Sequence, residues 1–527
     1  MNTKLVLSSA LITLIQANSI AGTGNEKTVK KPNILVILAD DLGYGDVQCY
    51  NSQRGKILTP NIDRLASQGM RFTDGHSSSA VSSPSRYTLL TGRYHWRTRL
   101  QSGIVNLFGA PLIAPDRLII AGLMKQHGYR TACIGKWHLG WDWPIDTAKL
   151  KYVQIPVKRS QDDEAFIVTE DHQIAWRDIF SKPILNGPAT RGFDSYFGTD
   201  VPNWPPYCFI DNNRTIGIPT KFLPKENFSN NRASLPGPAL KDWQLEHILP
   251  TLGDSAVSFI TTSIERSEPF FLYLPLTSPH TPLAVNKPWL GKSGLNTYAD
   301  FVMETDAVIG RVLDALKKRN ADENTLVIFT SDNGCAPYIG AEALEAMGHF
   351  PSGPLRGYKG DAWEGGHRVP FIIRWPSVVK PKSICNQLVH HADFMATFAE
   401  ILGTKLPDGA GEDSYSLLSL LKGKDKPIRR QSVSCAIAGI PTLRVGSWKL
   451  ISGSASGSFS KIRDDNTVKL FNLADDIGET VNLAASQPQR VAEMKSLLEK
   501  LINDGRSTPG EVQKNDVKVR RYPNPEK

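Results

Sequence analysis

The run Asn33-Ile-Leu-Val-Ile-Leu-Ala39 is apolar at every position after its first and stops abruptly at Asp40-Asp41. A strand with no polar alternation needs cover on both faces, which is the pattern of a parallel sheet flanked by helices. Residues 325–330 repeat that pattern and stop at Ser331-Asp332-Asn333-Gly334. Ligands in open α/β sheets bind outside the carboxyl ends of the strands, so the two endings predict a site. Adjacent carboxylates turned into one crevice repel each other unless a cation lies between them, and hard oxygen donors suit calcium or magnesium. Taken alone, Asp40-Asp41 reads as a pair of loop aspartates capping the next turn. The same ending on a second buried strand favours the crevice.

Around these strands the chain reads as α/β. Further buried strands are expected at 130–134, 270–276 and 369–375. A helix opens at Thr59-Pro60, carries Ile62, Leu65 and Ala66 and stops at Gly69. Others are expected at 116–126, 245–264 and 298–318, the last with Phe301, Val308, Val312 and Leu316 at helical spacing. Residues 143–241 show no clear period, and so long an irregular stretch predicts functional loops. From about Gly423 the character changes to short strands at 442–445, 448–451 and 468–473. A helix then spans 488–503, with Val491, Met494, Leu498 and Leu501 on one face and Gly505 ending it. The 527 residues exceed the ~250–300 at which a single core stops growing. A large domain over 30–423 and a smaller one over 424–510 are therefore expected, followed by a loose basic tail at 511–527 with Lys514, Lys518, Arg520 and Arg521.

At the N-terminus, Lys4 precedes an apolar run from Leu5 to Ile15, and Ser19-Ile20-Ala21 offers small residues for cleavage. Residues 1–21 thus read as a removable secretory signal; the run falls short of the ~20 residues that a spanning helix needs, so the chain is expected to be exported and not membrane-spanning. The six cysteines form no Cys-x-x-Cys pair, which argues against a zinc ribbon and leaves one or two disulfides open. A net charge of +9 is spread along the chain without a basic-aromatic motif. Nucleic acid is not the expected partner; a solvated surface or attraction to an anionic substrate accounts for the excess.

Ser83 suits a helix N-cap, Pro84 the first helical position and Gly92 the C-cap, so a helix should begin immediately after Ser82. Ser82 would then sit at a positive helix end, with Arg86 one turn on to hold an anion in its planar fork. Spacing alone makes this an ordinary helix cap. Lys136 and His138, bracketed by glycines after a strand, could face one crevice or lie on the surface. His280 is fixed between Pro279 and Pro282 in a stiff loop, as an acid–base group needs. Lys359 lies in a glycine-rich turn.

Together these segments resemble a known family. Ser82-Ser83-Pro84-Ser85-Arg86, followed by Leu90-Thr91-Gly92-Arg93, resembles the signature of type I sulfatases of the alkaline phosphatase superfamily, in which a Cys or Ser heading x-Pro-x-Arg becomes formylglycine. In that family one hydroxyl of the hydrated aldehyde is the nucleophile, and the other expels sulfate; an unmodified serine would trap a stable sulfate ester. Gly135-Lys-Trp-His-Leu-Gly140 is similar to a second family segment, which makes Lys136 an anion clamp and His138 the base that helps release sulfate. The resemblance makes His280 the donor to the leaving oxygen and assigns Lys359 to the sulfate. It gives a calcium site to Asp40, Asp41, Asp332, Asn333 and the modified Ser82, with Asp332 also accepting the nucleophile's proton. Gly192-Phe-Asp and Leu470-Phe-Asn-Leu-Ala-Asp-Asp-Ile-Gly-Glu479 resemble further family segments, so that the likeness runs from about Asn33 to Ile502.

The implied fold is an alkaline-phosphatase-like, mostly parallel mixed sheet flanked by helices, plus a C-terminal α+β subdomain with an antiparallel sheet. As a Ser-type member, the chain resembles those matured by an anaerobic formylglycine-generating enzyme in bacteria, which with export implies the periplasm. The implied reaction is hydrolysis of a sulfate monoester, and sulfated glycans are the expected supply, with a galactose-type or hexosamine sugar of a glycosaminoglycan or similar glycan. Trp204 and Tyr207 offer faces for stacking or belong to local core; Asn203, Asp211, Arg214 and His367 offer polar groups. A phosphatase or phosphonate monoester hydrolase is the enzymatic alternative. It would use Ser82 unmodified and usually a second metal site, for which no extra His/Asp cluster is visible in the sequence. A glycan-binding protein never matured at Ser82 is the other.

Overall fold

The computed structural model describes residues 31–155, 166–228 and 234–520. The signal segment at 1–21 and Arg521 lie outside them. From Pro32 on, the chain is one compact unit.

Its centre is a ten-stranded sheet in the order Ser383–Cys385, Met70–Phe72, Phe371–Arg374, Thr325–Ser331, Asn33–Ala39, Phe270–Pro275, Arg130–Lys136, Ser195–Thr199, Ile210–Asp211, Arg214–Thr215. Asn33–Ala39 runs parallel between Phe270–Pro275 and Thr325–Ser331, and Arg130–Lys136 and Ser195–Thr199 continue the parallel set. Successive side chains of a strand point to opposite faces. Accordingly Ile34, Val36 and Leu38 enter one core layer while Leu35, Ile37 and Ala39 enter the other, all fully buried. Helices Ser82–Thr91, Ile120–Gln126 and Phe394–Ile401 cover the first face; Pro60–Ser67, Ile248–Glu265 and Thr297–Lys318 cover the second.

Several expectations shift. The helix expected at 116–126 begins at Ile120, after Ile119 in extended backbone, and Arg117 ahead of it binds Glu412 at 2.7 Å. The strand expected at 369–375 is Phe371–Arg374 and pairs antiparallel with Thr325–Ser331, which makes the sheet mixed. The stretch 143–241 is not all loop. It holds helix Glu170–Phe180, capped by Thr169, with Trp176, Ile179 and Phe180 buried, and it supplies the last three strands of the sheet.

In the C-terminal part Gln431–Cys435, Pro441–Val445, Trp448–Ile451 and Lys469–Asn472 form an antiparallel sheet. Helix Pro488–Asn503 lays Met494, Leu498 and Leu501 on it. A boundary near 423 separates two sheets but not two units. Tyr94 and Trp96, directly after the Ser82 helix, complete the second sheet's core, and Cys435 exchanges backbone hydrogen bonds with Ser78 and Ala80 at 2.9 Å each. The tail is not loose between Glu511 and Arg520 either. Asp516 binds Arg93 at 3.0 Å and Asn515 accepts from Arg97 at 3.1 Å, so these arginines fasten it. All six cysteines are free.

Candidate active site

The two strand endings and the Ser82 helix converge as the alternation and breaks foretell. Asp40 and Asp41 leave Asn33–Ala39, Asp332 and Asn333 leave Thr325–Ser331, and Lys136 ends Arg130–Lys136. Asp41 turns away from the strand in left-handed backbone with φ 63°. Its N–H donates to Asp332 Oδ1 at 3.1 Å, and Asn333 Nδ2 donates to Asp41 Oδ1 at 2.8 Å. The helix begins one residue earlier than expected, at Ser82, with Val81 as N-cap and Gly92 as left-handed C-cap. Ser83 is no cap, since its hydroxyl accepts from Val105 N–H at 3.1 Å. Ser82 is thereby held in the first turn with its side chain turned to the carboxylates: Oγ donates to Asp40 Oδ1 at 3.2 Å, and Lys136 Nζ stands 3.4 Å from it.

Three cations balance the carboxylates. Lys136 Nζ meets Asp40 Oδ2 at 2.8 Å, Arg86 Nη2 bridges Asp332 Oδ2 at 2.7 Å and Asp40 Oδ1 at 3.2 Å, and Lys359 Nζ meets Asp41 Oδ2 at 2.6 Å. Burial alone would raise the Asp40 carboxyl, but Lys136, His280 and Arg86 outweigh it and bring it down to about 2. Asp41 is lowered in the same way, against burial, by Lys359 and His280. Burial depresses the Lys136 ammonium in spite of Asp40, whereas Asp41 raises Lys359 above its ordinary value against burial. Asp332, foreseen as acceptor of the nucleophile's proton, is taken up by Arg86 and the Asp41 N–H; Asp40 is the carboxylate beside the Ser82 hydroxyl.

The two histidines differ in which nitrogen is free. His138 has φ 52° and donates from its backbone N–H to Asp200 Oδ1 at 3.1 Å. Its Nε2 lies 3.0 Å from the Val105 carbonyl and so carries the proton, leaving Nδ1 buried and without a partner. Burial, then Lys136 and Arg86, hold it well below the usual imidazole range, so a neutral ring presents a basic nitrogen. His280 Nδ1 bonds the Thr281 carbonyl, and Nε2 faces Asp41 Oδ2 at 3.5 Å. Burial lowers its pKa while Asp41 opposes.

The donor set fits a hard divalent ion. It consists of three buried carboxylates and an amide, with Asn333 Oδ1 buried and unpartnered, and no thiolate or imidazole is needed to complete it.

The expected sugar contacts fare unevenly. Trp204 stands edge-on to His138, with 5.5 Å between ring centroids, and Asn203 is buried next to it in the chain. Tyr207 is local core, packed with Phe228 and Ala239 and donating its hydroxyl to the Asn203 carbonyl at 2.9 Å. Asp211 and Arg214 are exposed on the hairpin at the sheet's outer edge, where Arg214 donates to Ser181 O at 3.1 Å; they are not brought to Ser82. His367 is fully buried, 3.1 Å from His76 Nδ1 and 3.4 Å from Lys449 Nζ. It belongs to a second buried cluster with Asp74, Glu364, Arg368, Arg444 and Glu479, and is no surface contact. An extra His/carboxylate cluster therefore does exist in space. Its carboxylates are already met by cations, with Lys449 Nζ 3.0 Å from Glu364 and 2.7 Å from Glu479.

Sequence reasoning missed the props behind the site. Tyr298 donates to Asp46 Oδ2 and lies 3.2 Å from the Asp41 carbonyl, and His349 Nε2 is 2.9 Å from Asp46 Oδ1. Burial raises Asp200, behind His138, to about 6. An acid in an otherwise patternless loop gives no signal by itself.

Comparison with known proteins bears on this geometry. A family profile described as Sulfatase matches residues 32–404, and one described as N-sulphoglucosamine sulphohydrolase, C-terminal, matches residues 359–506. An N-acetylgalactosamine-6-O-sulfatase of Bacteroides thetaiotaomicron is 32% identical over 521 residues, covering 94% of this chain and 98% of the relative. Human arylsulfatase H is 30% identical over 442 residues, covering 75% of this chain and 73% of the relative. A solved structure concerned with metabolism of multiple glycosaminoglycans by Bacteroides thetaiotaomicron superposes with a TM-score of 0.76 at 30% identity, covering 90% of this chain and 99% of that one. Ps i-CgsB in complex with k-i-k-neocarrahexaose gives 0.66 at 25% identity, covering 92% and 95%.

Proposed function

The chain belongs to the sulfatase family, and on that premise we propose that it hydrolyses a sulfate monoester on a sugar of a sulfated glycan, with Ser82 converted to formylglycine. The observation that carries this reading is the placing of the Ser82 hydroxyl, 3.2 Å from Asp40 and 3.4 Å from Lys136, among fixed cations. The name of the Bacteroides relative, N-acetylgalactosamine-6-O-sulfatase, supports a galactose-type or hexosamine sugar.

Residue 82, once matured, supplies one hydroxyl of its hydrate to attack sulfur and a second whose deprotonation expels sulfate and restores the aldehyde. Asp40, Asp41, Asp332 and Asn333 would hold calcium, whose charge offsets that of the sulfuryl oxygens and lowers the nucleophile's pKa. Arg86, Lys136 and Lys359 hold the sulfate and meet the charge that develops on it. His280, with Nδ1–H held by the Thr281 carbonyl, must be the imidazolium, supported by Asp41, to give its Nε2 proton to the leaving oxygen as the S–O bond breaks. His138 Nδ1 takes the proton that must leave the second hydroxyl. The phosphatase alternative would need a second metal; His76, Glu364 and His367 come close enough together to offer ligand atoms, but Glu364 is the one carboxylate among them and is shared with Lys449 and Arg444. Export to the periplasm, loss of residues 1–21 and maturation by an anaerobic partner enzyme belong to the same proposal; no helix among the described residues is long and apolar enough to cross a membrane.

Two measurements test it. Mass spectrometry of the Ser82 peptide from the native host should find it lighter than serine by two hydrogens, and active protein with wholly unmodified serine would defeat the formylglycine mechanism. A panel of position-defined sulfated sugars set against a sulfated phenol should give the highest kcat/KM to a sugar; desulfation of the phenol alone would defeat the glycan assignment.

A further inference from the structure

The anion site accounts for the sulfate group but not for the rest of a substrate. Beside Lys359 stands Tyr338, in the turn Pro337–Ile339 just after Asn333. The residue is 41% exposed, yet its hydroxyl lies beside Lys359 and Thr281. The polar tip thus reaches the site while the ring stays open to solvent. Thr281 is 4% exposed, and apart from the Tyr338 hydroxyl beside it its Oγ1 has no hydrogen-bond partner. A hydroxyl is one donor and a double acceptor, so Thr281 Oγ1, next to His280, has capacity left for a bound ligand.

The Tyr338 ring stands edge-on to Phe459, with 5.7 Å between centroids and 77° between planes. Phe459 in turn covers Gly360, the residue after Lys359. A Cβ at Gly360 would come within 3.0 Å of the Phe459 ring, and its φ of +89° favours glycine there as well. Phe459 belongs to the loop between strands Trp448–Ile451 and Lys469–Asn472. That loop is docked by Ala362 N–H to Ala455 O at 2.7 Å and by Gly457 N–H to Asp361 Oδ1 at 2.7 Å. The C-terminal sheet therefore sets an aromatic buttress beside Lys359, in a site made by the other sheet.

We propose that Tyr338, backed by Phe459, and Thr281 form the subsite for the sugar ring that bears the sulfate. Tyr338 takes the apolar face of the pyranose, and Thr281 Oγ1 bonds a hydroxyl near the sulfated carbon. An aromatic ring with only two side-chain torsions gives large contact area at low entropic cost, and a few placed polar groups fix orientation. The inference rests on the glycan-sulfatase reading above and adds the residues that recognise the sugar.

The test uses the matured enzyme with a sulfated N-acetylhexosamine disaccharide as substrate and inorganic phosphate as inhibitor. Tyr338→Ala should lower kcat/KM on the disaccharide about 10–100-fold, as for an aromatic anchor, and Thr281→Val about tenfold, both mainly through KM. Tyr338→Phe, which keeps the ring but removes the hydroxyl beside Lys359, should lose less than Tyr338→Ala. Phosphate fills only the anion site, so its inhibition constant should remain within about threefold in every variant, which also shows that each is folded. Disaccharide values near wild type in both Tyr338→Ala and Thr281→Val would overturn the inference. So would a phosphate constant that rises in step with the loss, because Tyr338 would then act only through Lys359. A wild-type enzyme that desulfates no sugar defeats the reading beneath, and the inference with it, before any variant is made.

Discussion

Asp40, Asp41 and Asp332 are buried against Arg86, Lys136 and Lys359, with His138 and His280 alongside; in a second place buried Glu364 and Glu479 and half-buried Asp74 stand against Arg368, Arg444 and Lys449, with His76 and His367. The charge count is thus the same in the two clusters, and burial nearly so. They differ in what is left over. In the second, Asp74 meets His76 at 2.7 Å and Arg444 at 3.1 Å, Glu364 meets Lys449 at 3.0 Å and Arg444 at 3.3 Å, and Glu479 meets Lys449 and the Glu364 N–H at 2.7 Å each. In the first, Asn333 Oδ1 and His138 Nδ1 have no partner, and Ser82 Oγ makes only long contacts. Glu364 Oε1 and Glu479 Oε1 lack a well-aligned hydrogen bond too, but both meet the Lys449 charge; the open groups of the first cluster, an amide oxygen and a ring nitrogen, have no counter-charge and favour a ligand there.

The comparison breaks if variants of the two clusters behave alike. Ser82→Ala removes only a weak hydrogen bond from the fold but the nucleophile from the reaction. Turnover should fall by at least ~10³-fold while the midpoint of urea unfolding stays near wild type; a large drop in midpoint would make the first cluster scaffold too. Lys449→Ala should do the reverse, since leaving Glu364 and Glu479 buried without their cation costs about 3–5 kcal/mol. Folded protein that survives should keep its KM, and a stable but inactive variant would place the second cluster in the reaction.

His280→Ala sharpens the picture inside the first cluster. Loss of about 10²-fold or more is expected on sugar sulfates, whose alkoxide leaving groups need a proton, and much less on activated phenyl sulfates. Equal losses on both would make His280 a positioning residue. The smallest effect concerns pH. Burial lifts the Glu479 carboxyl to about 7, against Lys449 and with help from Glu364. The folded protein then holds that proton more tightly than the unfolded chain, where glutamate titrates near ~4.3. Its stabilising contribution is complete below that value and is lost as pH rises through about 7, on the order of 1–3 kcal/mol. Glu479→Gln should flatten the change in urea midpoint between pH 5 and pH 8, and an unaltered slope would assign the titration elsewhere.

Much of the first cluster was legible because its members end strands or open a helix, and each such position has a local signature. Asn33–Ala39 lacks alternation, Gly92 needs its left-handed turn, and Pro279 and Pro282 bracket His280. The fold's centre was legible for the same reason. What failed was long-range or patternless. His367 looked like a substrate contact because nothing near it in sequence names Lys449 or His76 as neighbours. Helix Glu170–Phe180 was missed although Thr169 caps it, since its buried Trp176, Ile179 and Phe180 follow an irregular stretch. The 511–520 segment looked loose by composition, and only the buried Arg93 and Arg97, on a distant part of the chain, reveal why it is held.

Ser434 Oγ donates to the Ser77 carbonyl at 2.6 Å across 357 residues of sequence, next to the backbone bonds that join Cys435 to Ser78 and Ala80. The segment leading to Ser82 therefore has a partner strand that the ribosome delivers late. At ~5–20 residues per second, about 20–70 s separate the synthesis of the two. During that interval Ser82 has no edge strand beside it, and afterwards it is 3% exposed. The order of synthesis thus leaves the segment that leads into the Ser82 helix without its partner strand until nearly the whole chain is made.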